Sequence, residues 1–431
     1  MNGLRRRQGG AAGSAAAALL SVAARTPAPL LPVAVMAAVG LATRSLFTTG
    51  IAVSAVLTGL ALSGPLASAV AERFGLRPVL LAGAVAHVIA VVLLVTAVDR
   101  FTQQGMAASD LALFLTVVGF AAAAGLTVPP VSVVSASRRR HLDRDPHNVR
   151  DGGAAPGRSA APAESMLEDA ALLLAPVLTA VLVWTAHPTA GLLAAAAITA
   201  VAVPLYAMDA VIGAMDEHSS GPQPGELQEE HDTPLRVMLP GMEQAQHAAV
   251  DGFPAQAQDA APQHRPAAFP ALSLLAPALP GAVLLGAALP LVWLVALGGA
   301  AGVYRGSWYA FLIIGALTLC GAIAARWLPR SLLALRPRRR RRLLTSMLVL
   351  VLLLILLLAA VLPGWPLLLA LTLGAALAGL CAGALLTELH RGLAEQPAEA
   401  LGAQRMLFSG AVLAGQVLGF AAGGAMLDTL R

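Results

Sequence analysis

In a chain of 431 residues with only 12% charged side chains, the groups able to do chemistry are few. The stretch "AESMLEDAALLLAPVL" places Glu164, Glu168 and Asp169 at the start of an apolar run. Glu164 and Glu168 are four apart and share a helix face, with Asp169 adjacent. "SVAARTPAPLL" sets Arg25 inside another apolar run, just ahead of Pro27, Pro29 and Pro32. An ionisable group in hydrocarbon costs at least ~3 kcal/mol unless it is paired or hydrated, so each is a functional candidate. Two chemistries suit them. A deep carboxyl beside a polar cavity can carry a coupling proton, and Arg25 can pair with Glu168 or Asp169 across two helices. The plainer readings are an Arg25 that snorkels to the interface, and interfacial acids facing Arg138, Arg139 and Arg140.

Covalent and metal chemistry find no support. The sequence holds no P-loop, nucleophile elbow, HExxH or aspartate-rich diphosphate motif, so neither enzymatic activity nor a cofactor is expected. Cys320 and Cys381 lie singly inside apolar segments, and His218, His231, His247 and His264 are too far apart for a metal site. His87 reads as a packed or hydrogen-bonded histidine. Thr179, Trp293 and Gln416 are polar or amphipathic positions that could line a solute path, and packing is the commoner role for such residues.

These groups must be positioned by membrane-spanning helices. Hydrophobic residues make up 58% of the chain, which is too many for a water-soluble surface. The apolar runs are continuous and do not alternate, which implies helices and not barrel strands. Eleven segments of spanning length fall at 14–40, 48–71, 78–98, 109–135, 163–186, 189–208, 271–299, 306–326, 343–362, 365–388 and 403–426. The first has the look of a signal peptide, but an initial spanning helix has the same features and is the preferred reading. Residues 209–270 are polar and rich in Gln, Pro, His and acid, and read as a largely disordered linker.

Every basic residue is arginine. With the N-terminus in the cytoplasm and sides alternating, 23 arginines fall inside and 4 outside, with Arg25 left in the first segment. That bias explains a net charge of +5 without invoking nucleic acid. The expected organisation is an N-terminal six-helix half over 1–208, a cytoplasmic linker over 209–270, and a C-terminal half with five helices over 271–431. The halves echo each other. Each has a basic loop between its second and third segments, "ERFGLRP" and "RWLPRSLLALRPRRRRR". Paired halves with solute bound between them near the midplane are a common transporter plan.

On these residues the chain resembles the major facilitator superfamily, and within it the drug- and sugar-efflux-like members of high-GC bacteria. The superfamily's loop signature G-x-L-x-D-R-x-G-R-R is partly matched by "SAVAERFGLRP". Arg73, Gly75 and Arg77 match; Ser68, Val70, Glu72 and Leu76 stand for glycine, leucine, aspartate and arginine. The resemblance implies that Glu72, Arg73, Gly75 and Arg77 form a conformational latch. A second signature fits "LALFLTVVGFAAA" from Leu111 to Ala123, with Leu115 in place of an arginine tied to proton coupling and Val118 in place of a glutamine. A glycine–proline pair in the fifth helix is represented by Ala175–Pro176. The efflux-like subgroup adds Ala24-Arg25-x-Pro27, the pair Pro129–Pro130, and the acidic Glu164-Ser165-x-Leu167-Glu168-Asp169 element.

The resemblance implies an all-α polytopic protein with two pseudo-symmetric halves, in a bacterial cytoplasmic membrane, with the superfamily's twelfth helix not represented. It implies secondary transport of a small organic solute by alternating access, as efflux, with a proton as the coupling ion, membrane lipid as the surroundings and no required oligomer. Pro27, Pro129, Pro130 and Pro176 are the expected helix kinks. The competing expectations are a transport-inactive scaffold or sensor of the same fold, favoured by the missing arginine and helix, and a solute importer.

Overall fold

The computed structural model describes residues 16–103, 111–131, 156–208, 279–303, 308–326, 336–362, 365–394 and 398–429. The expected linker over 209–270 and Arg138–Arg140 lie outside the described residues. In chain order the helices are α1 (Ala16–Arg25), α2 (Pro27–Thr43), α3 (Leu46–Phe74), α4 (Leu76–Gln103), α5 (Leu111–Leu126) and α6 (Pro156–Thr185). They continue as α7 (Ala190–Ala207), α8 (Leu279–Val303), α9 (Trp308–Arg326), α10 (Pro337–Val361), α11 (Trp365–Ala394) and α12 (Ala398–Thr429).

Among the described residues, eight helices are long and apolar enough to cross a membrane, or nine with the bent α1–α2 pair taken as one span. Two shorter apolar helices, α5 and Trp308–Ala324 within α9, occupy the other expected segments. Large apolar side chains such as Val85, Ile89, Val201, Leu350 and Leu369 face outward, as lipid contact requires. The protein is a multi-pass, all-α membrane protein.

The first segment is not one continuous helix. α1 and α2 meet at 44°, with the break at Thr26. Pro27 opens α2, and Pro29 and Pro32 follow, so backbone N–H groups that would bond the carbonyls one turn earlier are missing. α5 also departs from expectation. It ends at Leu126, short of the expected 135, and Pro129–Pro130 stand in non-helical backbone because proline excludes the preceding residue from the α region.

Without a hydrophobic drive between helices in lipid, close backbone approach at small residues holds the bundle. A Cβ on Gly59 of α3 would lie 2.3 Å from the Ala122 carbonyl oxygen of α5, and one on Gly125 would lie 2.2 Å from that of Val56. The same device joins α9 to α11, where a Cβ on Gly383 would lie 2.1 Å from the Gly321 oxygen. α3 packs on α5 as α9 packs on α11, and α4 packs on α5 as α10 packs on α11. The two groups of helices therefore repeat one packing plan.

Candidate functional site

The site begins at the α1–α2 break. Arg25 is the last residue of α1 and only 7% exposed. Its Nη1 donates to the Ser21 carbonyl at 3.1 Å and to the Ser21 hydroxyl, which aims the guanidinium back along α1. Thr26 follows, with its backbone N–H and its hydroxyl both donating to the Val22 carbonyl, at 3.0 and 2.8 Å. Pro29 offers no N–H to the Arg25 carbonyl. Charge and polar backbone are thus concentrated at one point of an apolar segment.

α6 and the end of α5 complete the site. Arg25, Glu168 and Asp169 line one cavity of about 340 Å³, together with Ala24, Ala28, Pro29, Pro129 and Val131. Glu168 is exposed and Asp169 half-buried. The structure thereby brings together the cationic and acidic positions singled out from the sequence, with Pro129 of the proline pair in the wall. A guanidinium and two carboxylates around one cavity can hold an ion pair, exchange it for a polar or charged solute, or pass a proton. Among the described residues, no group of three or more His, Cys, Asp or Glu is arranged to hold a metal ion.

The remaining sequence candidates fall elsewhere. Thr179 is fully buried and its hydroxyl donates to the Ala175 carbonyl at 2.9 Å. Trp293 stacks edge-on against Phe420, with centroids 5.8 Å apart. Gln416 sits where α12 crosses α8, its backbone nitrogen 3.0 Å from the place a Cβ on Gly286 would take. Pro176 lies 3.8 Å from a Cβ position on Gly315 of α9. Of the loop residues, Arg73 is exposed, Gly75 closes α3 with φ 83°, and the Arg77 Nε donates to the Ala207 carbonyl at the end of α7, 2.9 Å away. Glu72 and Glu164 lie on the helical backbone of α3 and α6, and their side chains are outside the described set. His87 is buried, with Nδ1 donating to the Ala124 carbonyl at 3.0 Å, a packing role.

Two helix pairs make the most extensive contacts between the two groups, α3 with α12 and α6 with α9. α3 and α12 run antiparallel and touch over 45–54 and 417–428. A Cβ on Gly50 would lie 2.1 Å from the Phe420 oxygen, and one on Gly424 would lie 2.5 Å from that of Leu46. The Ser54 hydroxyl donates to the Val417 carbonyl at 3.2 Å. Asp428 finishes the contact. Its carboxylate accepts from the Ser45 hydroxyl at 2.8 Å and from the backbone N–H groups of Leu46 and Phe47 at 2.9 Å each. α6 and α9 also meet, with the Trp184 and Trp308 rings 6.1 Å apart.

Toward the other end α3 and α12 part. Among the described residues, nothing lies within 4 Å of a Cβ on Gly64 or on Gly410, and Leu62, Leu66 and Val70 are exposed. Arg25 precedes the end of α2 by 18 residues and Glu168 precedes the end of α6 by 17. At 1.5 Å per residue both lie roughly 26 Å from the closed end, and so toward the open one. Sequence reasoning missed the Asp428–Ser45 contact. The available signals were an acid in the last turn of an apolar helix and a Ser-x-x-Thr start to another.

Neither a protein-family model nor a protein of curated function matches the chain. Solved structures do. A bacterial homologue of the iron transporter ferroportin, in its inward-facing state, superposes with a TM-score of 0.63 at 14% identity, covering 94% of this chain and 90% of its own. A point mutant of the nucleoside transporter NupG gives 0.56 at 14% identity, with coverage of 96% and 91%. A D-xylose-proton symporter gives 0.53 at 12%, with coverage of 94% and 89%. The chain has the major facilitator type of fold, all-α with two pseudo-symmetric helical groups.

Proposed function

We propose that the protein is a secondary active transporter that moves a small organic solute across a bacterial cytoplasmic membrane by alternating access, in the export direction. One observation carries the reading. A cavity holding the intramembrane charges Arg25, Glu168 and Asp169 lies toward one end of the molecule, while the main cross-group contact of α3 with α12 is closed at the opposite end. With the N-terminus in the cytoplasm, as the arginine bias argues, the open end faces inside and solute loads from there. Residues 1–208 and 271–431 then move as two bodies joined by a cytoplasmic linker over 209–270. In the opposite state the inner ends of α3 and α12 close, and Glu72, Arg73, Gly75 and Arg77 lock them. Arg25 pairs with an acid of α6, Asp169 being the better buried, and solute or a coupling proton competes for that acid.

A second reading, a transport-inactive protein of the same fold, is favoured by Leu115, an exposed apolar residue where the signature has its proton-coupling arginine. Flux separates the two. Proteoliposomes holding the protein are loaded with a mixture of small organic amines, sugars and nucleosides, and each is followed by mass spectrometry with and without a protonophore. Transport predicts at least one solute whose efflux is protein-dependent, protonophore-sensitive and lost in Arg25→Ala. Flux of every compound equal to that of protein-free vesicles favours the inactive reading.

A further inference from the structure

The first turn of α10 places cations where a helix disfavours them. Arg336 caps the helix and Arg338, Arg339, Arg340, Arg341 and Arg342 follow Pro337. This is the positive end of the macrodipole, with no acidic side chain in the first turn and no side-chain cap. Arg340 turns inward, 7% exposed, and meets the buried Glu388 of α11 at 2.5 Å. Arg336, Arg338, Arg339 and Arg342 are exposed, and no acidic side chain among the described residues pairs with them.

The repeated packing plan shows what such a helix start requires. α4 stands in the first group where α10 stands in the second, and each carries an arginine at its second residue, Arg77 and Arg338. Arg77 is satisfied by the carbonyl end of α7, the negative end of a helix dipole, and α7 lies along α4. Among the described helices α10 packs mainly on α11 and less on α8. Its opposite face continues from the arginines as a run of exposed Leu343, Met347, Leu350, Leu354, Leu357 and Val361. Positive charge at one end of a membrane-spanning apolar face is the complement of a molecule with an anionic head and hydrocarbon tails.

We propose that the arginine turn and outer leucine face of α10 bind an anionic phospholipid. Its phosphate takes at Arg338 the place that the α7 carbonyl end takes at Arg77, and its acyl chains lie along the outer leucine face of α10. The four exposed guanidiniums supply the headgroup contacts, while Arg340, held by Glu388, anchors the turn. The site stands apart from the Arg25 cavity and does not depend on the transport reading.

The test is native mass spectrometry of the full chain, released from detergent containing dioleoyl-phosphatidylglycerol or dioleoyl-phosphatidylcholine, with glycerol phosphate as the headgroup alone. The proposal predicts retention of the anionic lipid at least about tenfold above the zwitterionic one, and no retention of glycerol phosphate. It also predicts loss of that preference in R336Q/R338Q/R339Q/R342Q, with R44Q/R100Q unchanged. The wild-type comparison stands even if the fourfold variant fails to fold, and R339Q alone then gives a partial loss. Equal retention of the two lipids, or a fourfold variant that keeps the preference, overturns the proposal. So does glycerol phosphate binding as well as the lipid, or a second polypeptide that the lipid does not displace from this face.

Discussion

Arg25 gathers the expected chemistry at one atom group. It is nearly buried, is oriented by Ser21 and shares a cavity wall with Glu168 and Asp169. If it pairs with Asp169, the two act as a unit, and their losses do not add. Arg25→Ala and Asp169→Asn should each lower solute flux at least about tenfold, and the double variant should lose no more than about twofold beyond either. Full additivity in that cycle removes the pairing. Asp428 is the second residue on which the proposed function turns. Its carboxylate accepts three hydrogen bonds at the start of α3, where the helix dipole favours an anion. Asp428→Asn gives up the charge and one acceptor oxygen, a loss on the order of 1–3 kcal/mol from the closed end. Arg25, Glu168 and Asp169 stood out in the sequence because ionisable side chains are rare in apolar segments. The Asp428 contact was not, since its partners lie more than 380 residues apart and neither belongs to a local pattern.

At the scale of elements, the spanning segments were legible because continuous apolar runs leave no other secondary structure in lipid. The three prolines after Arg25 gave away the place of the α1–α2 break, while its 44° depends on what packs around it. The early end of α5 shows a proline pair overriding an apolar run that continues past it. Close backbone contacts yield a sharper prediction. Gly50→Val should pry α3 from α12, because its side chain would start 2.1 Å from the Phe420 oxygen. A cysteine at Phe47 should then react faster with a membrane-impermeant maleimide. Gly64→Ala, with open space around it, should leave that rate unchanged. Within the second helix group, Glu388→Gln leaves the buried Arg340 without its counter-charge and should cost about 3 kcal/mol or more. Thermal unfolding in detergent measures this as a clear fall in midpoint, with the flux of the surviving protein unaffected.

At the scale of the whole molecule, the proposed alternating access requires closure at one end and separation at the other of two helix groups that repeat one packing plan. In the proposed motion one group rotates against the other, and the glycine contacts of α3 with α12 near Asp428 part as the other end closes. Such a motion couples the ends: what opens at Asp428 must close near Gly64. Spin labels at Phe47 and Thr429 report the closed end, and labels at Val70 and Gly410 the open one, in protein reconstituted into liposomes. The direct measurement is the pair of distance distributions by double electron–electron resonance, in wild type and in Asp428→Asn. Alternating access predicts that the variant lengthens the Phe47–Thr429 distance and shortens the Val70–Gly410 distance in the same molecules. Distances at both ends that stay the same in the two proteins, or an outer end that opens while the inner end does not move, would contradict it.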